Sequence, residues 1–548
     1  MTAAVLALAL LTTGPAAREL RVLAGDAPPA NGGVATKGEI HGGDGGDEFT
    51  DEPAGRLATI SIRAGGWVDA IGCEWEAGGK TARTSRHGGM GGTEEVVHLD
   101  PGERLARVSG VLHANGWIGS ITLVTSRDRE WGPFGQTSDG PRFDCAAGPG
   151  EEICGFRGRS SAYLNALGFL VRPATAETST TTSEPARRES APEPEWLRVR
   201  VQEIAARAGL PSLAASLFVD GKVVAVSAVG LRKVGAPDRV RANDAYLLGS
   251  VTKPLTATLV ARCVDRGVLH FDTTLAQMFP ELKASMRAGV RKITVAQLLS
   301  HTSGLPYQPS APQEEIDLRG TDPVARRYEY VKAALADPLV SSPGTTVTYG
   351  GGPIVVVSAL ERATKRSYEE LMRDEVFVPL GMSTAGFGDM ASPGRIDGVW
   401  GHDASTGKVV PVSPKPGEAA FTRLPVGGVH ASVGDLARWA AVFIGPPAGA
   451  KPFLRAETLR ALSTEVREGT GSAPGWFTAR VAWAKGVVLW HNGSQGRNFA
   501  LVHVVPEDGW ATCVATNVAG LPDARVDAAC QELHLFLAEH VRSMRNAK

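Results

Sequence analysis

Leu248-Gly249-Ser250-Val251-Thr252-Lys253-Pro254-Leu255 sets a serine and a lysine three residues apart at the head of an apolar stretch that continues to Arg266. Read as the start of a helix, the segment puts Ser250 and Lys253 one turn apart on the same face, where the two side chains can share a proton. A serine hydroxyl alone is a weak nucleophile near neutral pH. A lysine that loses part of its hydration has a lowered pKa and can act as the base that activates it. The tetrapeptide by itself is common on helix surfaces, so its meaning rests on its partners elsewhere in the chain.

Two later segments supply those partners. Pro343-Gly344-Thr345-Thr346-Val347-Thr348-Tyr349-Gly350-Gly351 reads as a turn and a short β-prone run that delivers Tyr349 into a glycine loop. Leu489-Trp490-His491-Asn492-Gly493-Ser494 reads as a strand ending in His-x-Gly. Around them stand Gly209-Leu210-Pro211-Ser212, the Val219-Asp220-Gly221-Lys222 hairpin, Leu298-Leu299-Ser300-His301-Thr302-Ser303-Gly304-Leu305-Pro306, and Gly427-Gly428-Val429 leading into Ser432 to Leu436. The order Ser-x-x-Lys, Tyr, His-x-Gly resembles the serine β-lactamase and penicillin-binding-protein superfamily, most of all its class C β-lactamase, DD-peptidase and esterase branch. The resemblance covers about residues 196–548.

That resemblance implies an α/β domain, an antiparallel sheet flanked by helices with an all-α lobe, and it assigns roles. Ser250 would attack the acyl carbon and Lys253 would take its proton. Tyr349 would pass the proton to the leaving group, its pKa lowered from about 10 by the neighbouring cation. His491 stands where many relatives carry lysine. Gly493 would allow substrate to approach the strand edge. The backbone N–H groups of Ser250 and Ser494 would form the oxyanion hole. His301 reads as structural. Lactam-cleaving relatives have an asparagine two residues after the tyrosine, where this chain has Gly351. With His491 in place of lysine, this favours esters or other amides over lactams. The substrate class is a small-molecule or peptide acyl compound, with no metal and no cofactor. The alternatives are a β-lactamase or DD-peptidase proper, or a catalytically inactive glycan- or peptidoglycan-binding protein.

Length and composition set the wider frame. At 548 residues the chain exceeds one ordinary domain, and its 65 glycines point to turn-rich architecture in part of it. Net charge is −1 and no basic tract is visible, which argues against a nucleic-acid partner. The apolar run Ala3–Leu11, followed by Thr12-Thr13-Gly14-Pro15-Ala16-Ala17, reads as a signal peptide over residues 1–17 and points to a secreted or periplasmic protein. No other stretch has the length of a transmembrane segment. Among the six cysteines, Cys145 with Cys154 and Cys513 with Cys530 are candidate disulfide pairs, while Cys73 and Cys263 read as buried thiols.

Residues 173–195, rich in Ser, Thr, Pro and Glu without apolar periodicity, read as a disordered linker. Before the linker, alternating runs such as 57–63, 67–75 and 119–125 between glycine-rich turns predict an all-β unit. Its four segments His41-Gly42-Gly43-Asp44, His87-Gly88-Gly89-Met90, Leu99 to Gly110 and Ile153 to Gly168 resemble the jacalin-related lectin domain over about residues 38–172. That family's fold is a β-prism of three Greek-key sheets. The resemblance implies a glycan site at Gly43, Ala162, Tyr163 and Asn165. There Ser161 and Asn165 replace the family's glycine and aspartate, removing a charged acceptor. The alternative is a spacer or a surface for another partner.

Overall fold

A computed structural model of the chain describes residues 36–546, apart from 78–79, 100–101, 127–128, 137–139, 149, 175–191, 320–321, 393, 415–420 and 447–448. The signal-peptide segment and most of the linker lie outside the described residues. The chain divides into two compact units, Met1–Glu184 and Pro185–Lys548.

The described residues of the first unit form β1 (Thr36–Gly42), β2 (Asp47–Thr50), β3 (Arg56–Ala64), β4 (Val68–Ala77), β5 (Lys80–Gly88) and β6 (Thr93–His98). They continue as β7 (Leu105–Leu112), β8 (Ile118–Thr125), β9 (Glu130–Gly135), β10 (Arg142–Ala146), β11 (Glu151–Ser160) and β12 (Leu164–Pro173). The pairings are antiparallel and fall into three groups of four, in the orders β5-β4-β3-β6, β10-β7-β8-β9 and β1-β12-β11-β2. Only the pairing of Ile153 with Leu105 joins the last two groups into one longer sheet. In the first two groups three consecutive strands are followed by a fourth that returns beside the first, the Greek-key order. Ile60, Ile62, Ile71, Val108, Ile121, Leu123, Phe156, Leu167 and Phe169, drawn from all three groups, share one core. This is the expected prism, and each strand's alternation turns one side chain in two toward that core.

The second unit is built on a seven-stranded antiparallel sheet, in the order Lys222–Gly230, Ser212–Val219, Trp510–Thr516, Phe499–Val505, Val487–Ser494, Trp476–Arg480 and Ser472–Ala473. Both faces are covered, so its central strands read as unbroken apolar runs. In Phe499–Val505, Leu501 and Val505 face a core shared with Leu197, Val201 and Ile204 of the Glu195–Ala208 helix and Leu533 and Leu537 of the Arg525–Asn546 helix. The alternate Ala500, Val502 and Val504 face the core of the helical lobe. At the centre of that lobe the Thr252–Asp265 helix is buried on almost every side, its polar Thr252, Lys253, Thr256 and Thr258 included.

Several expectations need correction. Residues 343–351 contain no strand; Thr348 N–H instead donates to the His301 carbonyl at 2.7 Å. All six cysteines are free thiols. Cys513 and Cys530 belong to cores on opposite faces of the sheet, so they cannot meet. Cys154 lies buried, its thiol directed to the Leu170 carbonyl at 3.3 Å rather than to Cys145. Among the described residues, no helix is long and apolar enough to cross a membrane.

Candidate active site

Ser250 lies in a single 3-10 turn, Gly249–Val251, that leads directly into the Thr252–Asp265 helix. Lys253 Nζ sits 3.0 Å from Ser250 Oγ and donates to the Val426 carbonyl at 2.9 Å. Its side chain is almost wholly buried. Burial, and secondarily the positive charge of Arg423, pull its pKa down to about 7, because loss of water and a like charge both disfavour the ammonium. Thr256 Oγ1 donates to the Pro425 carbonyl at 2.8 Å, and Val429 N–H donates to Thr252 Oγ1 at 3.1 Å. The helix and the Pro425–Val429 segment are thus stitched together around the lysine.

Two glycines bring the Ser250 turn against the edge of the sheet. Gly249 has φ +51°, and a Cβ there would stand 2.4 Å from Ser494 N; a Cβ on Gly493 would stand 2.2 Å from the Leu248 carbonyl oxygen and 2.3 Å from Ser250 N. The bare Cα of Gly493 thus makes room for the chain's own Ser250 turn. This close approach brings the amides of Ser250 and Ser494 to the same spot.

Tyr349 faces Lys253, whose Nζ is 4.5 Å from the ring centroid. Its phenol hydrogen-bonds with Ser250, yet burial outweighs that bond and raises the pKa to about 12. The expected lowering does not occur, because burial disfavours the phenolate more than the Ser250 bond favours it. His301, at φ +60°, holds the tyrosine in place. Its ring is 4.5 Å from that of Tyr349 and its Nδ1 accepts from Gly350 N–H at 3.3 Å. Burial holds its pKa well below the ordinary value, so it is a neutral acceptor.

His491 is buried between Tyr349 and Phe477, with ring centroids 6.3 and 5.1 Å away. Burial and Lys253 lower its pKa to about 3, and Nε2 has no partner among the described residues. Its ring lies behind that of Tyr349, not on the cavity wall. That cavity, about 390 Å³, is lined by Ser250, Lys253, Tyr349, Ser494 and also by Tyr330, Arg423, Gln495, Asp389 and Arg497. The sequence reading missed Tyr330 and Arg423. Neither lies in a motif; they join the site only because the Pro323–Ala336 helix packs on the Phe421–Arg423 turn.

In the first unit, Gly43 N–H donates to the Asn165 carbonyl at 3.1 Å, and Tyr163 lies two residues before Asn165, its ring 4.7 Å from Trp117. Ala162 lies exposed in the same turn. The Asn165 side chain is buried, its Oδ1 taking a 2.8 Å bond from the Ser161 hydroxyl. Among the described residues no cluster of His, Cys, Asp or Glu is arranged to hold a metal.

A buried lysine against a serine, with a phenol and the amides of Ser250 and Ser494 close by, fits a serine hydrolase. The β-lactamase family profile matches residues 197–535, and the chain belongs to that family; a jacalin-like lectin domain profile matches residues 38–170. The chain is 28% identical to penicillin-binding protein 4 of Amycolatopsis lactamdurans over 323 residues, 56% of this chain and 81% of the relative. The octameric penicillin-binding protein homologue from Pyrococcus abyssi shares the fold at 24% identity and TM-score 0.50, over 62% of this chain and 77% of that one. D-amino acid amidase from Ochrobactrum anthropi SV3 does so at 16% identity and TM-score 0.51, over 64% of this chain and 98% of its own.

Proposed function

We propose that Ser250 is the acyl-accepting nucleophile of an exported hydrolase acting on an ester, amide or peptide, with the jacalin-like unit directing it to glycan-bearing surfaces. The observation that carries the catalytic reading is the pair of Ser250 Oγ and Lys253 Nζ at 3.0 Å with the lysine held near neutrality. Neutral Lys253 takes the serine proton as Oγ bonds to the acyl carbon. The carbonyl oxygen gathers negative charge between the amides of Ser250 and Ser494, each worth about 3–4 kcal/mol in such sites. As the bond to the leaving group breaks, Tyr349, fully protonated at about 12, gives its proton to that group and regains one from the Lys253 ammonium. Water then repeats the sequence in reverse and frees Ser250.

His491 acts from behind Tyr349 as a neutral positioning residue, as His301 does. Export is supported by the N-terminal apolar run, and the glycan role by the lectin-domain match. The test is intact-mass detection of an acetyl or butyryl adduct on Ser250 after mixing with p-nitrophenyl acetate or butyrate. Ser250→Ala should fold, carry no adduct and hydrolyse neither ester. Turnover by a folded Ser250→Ala protein overturns the assignment. A stable benzylpenicillin adduct without ester turnover would move the protein to the penicillin-binding alternative.

A further inference from the structure

The cavity holds a polar arrangement that the acyl-transfer chemistry does not use. A Cβ on Gly351 would stand 1.9 Å from the Tyr330 hydroxyl and 2.8 Å from its Cζ. No side chain can grow at 351, because the phenol of Tyr330 already fills that space. Tyr330 is buried, lines the cavity, and its hydroxyl has no hydrogen-bond partner among the described residues. Its neighbour Asp337 is occupied, accepting from the amide and hydroxyl of Ser310 at 2.6 and 2.5 Å.

Arg423 lines the same cavity. It is exposed, its charge reaches both Lys253 and Tyr330, and it pairs with no carboxylate among the described residues. The other cavity arginine, Arg497, is paired with Asp389 at 2.7 Å, and among the described residues Asp389 is the only carboxylate in the lining. Among the described residues, Arg423 is then a cavity cation with no carboxylate beside it. The Ser250 and Ser494 amides take the carbonyl oxygen and Tyr349 faces the leaving group. The stretch lined by Tyr330, Ile354, Arg423 and Leu424 is then left for the acyl chain.

Resting on the acyl-enzyme reading above, we propose that the acyl chain of the substrate carries a carboxylate, held by the Arg423 guanidinium with the Tyr330 phenol as a second donor. The preferred substrates are then monoesters or monoamides of dicarboxylic acids, a narrower class than the esters or amides the sequence alone favours. Guanidinium–carboxylate hydrogen bonds are among the strong ones.

The experiment compares kcat/KM for p-nitrophenyl hemiglutarate and p-nitrophenyl butyrate, which share a leaving group and differ in acyl charge. The expected native ratio favours hemiglutarate by about tenfold or more, chiefly through KM, and shrinks as salt is added. Arg423→Gln should bring the ratio close to one, Arg423→Lys should restore part of it, and Tyr330→Phe should lower it by a few-fold. Arg423→Glu should invert the preference toward the p-nitrophenyl ester of 6-aminohexanoate. Because both esters are read on one protein at one pH, a general loss of folding or a shift in Lys253 cancels from the ratio. A native ratio near or below one, or a ratio unmoved by Arg423→Gln and Arg423→Glu, overturns the proposal. Failure of either ester to acylate Ser250 would instead overturn the underlying catalytic reading.

Discussion

If Lys253 is the base, acylation of Ser250 must track the lysine's neutral fraction. Its pKa lies at about 7, lowered first by burial and then by Arg423. Roughly a tenth of it is neutral at about pH 6 and roughly nine-tenths at about pH 8, so the acylation rate should climb about tenfold across that span and then level. Nothing else in the machinery titrates there: Tyr349 lies at about 12 and His491 at about 3. The curve should be a single rising limb. Rapid-quench mixing with p-nitrophenyl acetate and intact-mass measurement reads the acetyl-enzyme directly and avoids the pH-dependent absorbance of nitrophenol. Arg423→Gln removes a positive neighbour, which makes the ammonium easier to keep, so its midpoint should move up. A flat profile, a midpoint in the ordinary lysine range near 10, or a downward move in Arg423→Gln would refute Lys253 as the base.

Three further outcomes rest on particular contacts. Gly493→Ala puts a Cβ 2.3 Å from Ser250 N and should lower kcat by about 10²–10³ through the displaced amides, read against KM to separate it from a binding defect. Gly351→Asn should destabilise the protein because of Tyr330, and Tyr330→Ala should rescue it, with a coupling of about 1 kcal/mol or more in a denaturant double-mutant cycle. His503 and His534 are buried and stacked at 3.6 Å, and each has a ring nitrogen without a partner. Burial lowers both pKa values, His534 to about 3, so below about pH 6.5 the unfolded chain binds protons that the folded one refuses. Stability should therefore be complete above about pH 6.5 and fall below it by up to about 1.4 kcal/mol per pH unit for each histidine. Urea midpoints at several pH values check this, and His534→Gln should flatten the slope.

The prism and the hydrolase fold were expected from motifs that resemble known families, while local pattern itself showed the strands of the first unit and the Ser250–Lys253 pair. Alternation marks the strands of the first unit, and the helix turn between Ser250 and Lys253 sets their geometry before any tertiary contact. The Tyr349 segment was misread as β-prone because its threonines and valine favour strands, whereas here it hangs from the His301 backbone. The tyrosine's pKa was misjudged for a related reason. Spacing shows that a lysine is near, but not how far burial of the tyrosine itself outweighs it. Tyr330 and Arg423 carry no sequence signal. They matter only because Gly351 has no side chain, and a missing side chain does not say what has taken its place.

Asn165 shows the same limit in the first unit, where the sequence suggested only the loss of a charged acceptor. The structure gives the Ser161 hydroxyl the bond at Asn165 Oδ1, and the side chain is packed so tightly that a Cβ on Gly46 would lie 2.7 Å from that oxygen. A carboxylate placed there would keep Ser161 as its donor, and only part of its acceptor capacity would reach a ligand. Asn165→Asp alone should change glycan affinity little. Combined with Ser161→Gly, which frees the oxygen, it should strengthen binding by an amount in the range of a charge-assisted bond, about 1.5–3 kcal/mol. Isothermal titration with the glycans an array selects would measure both variants. If the single variant gains as much as the double, Ser161 does not compete for the acceptor, and the occupied oxygen is not what sets this site's affinity.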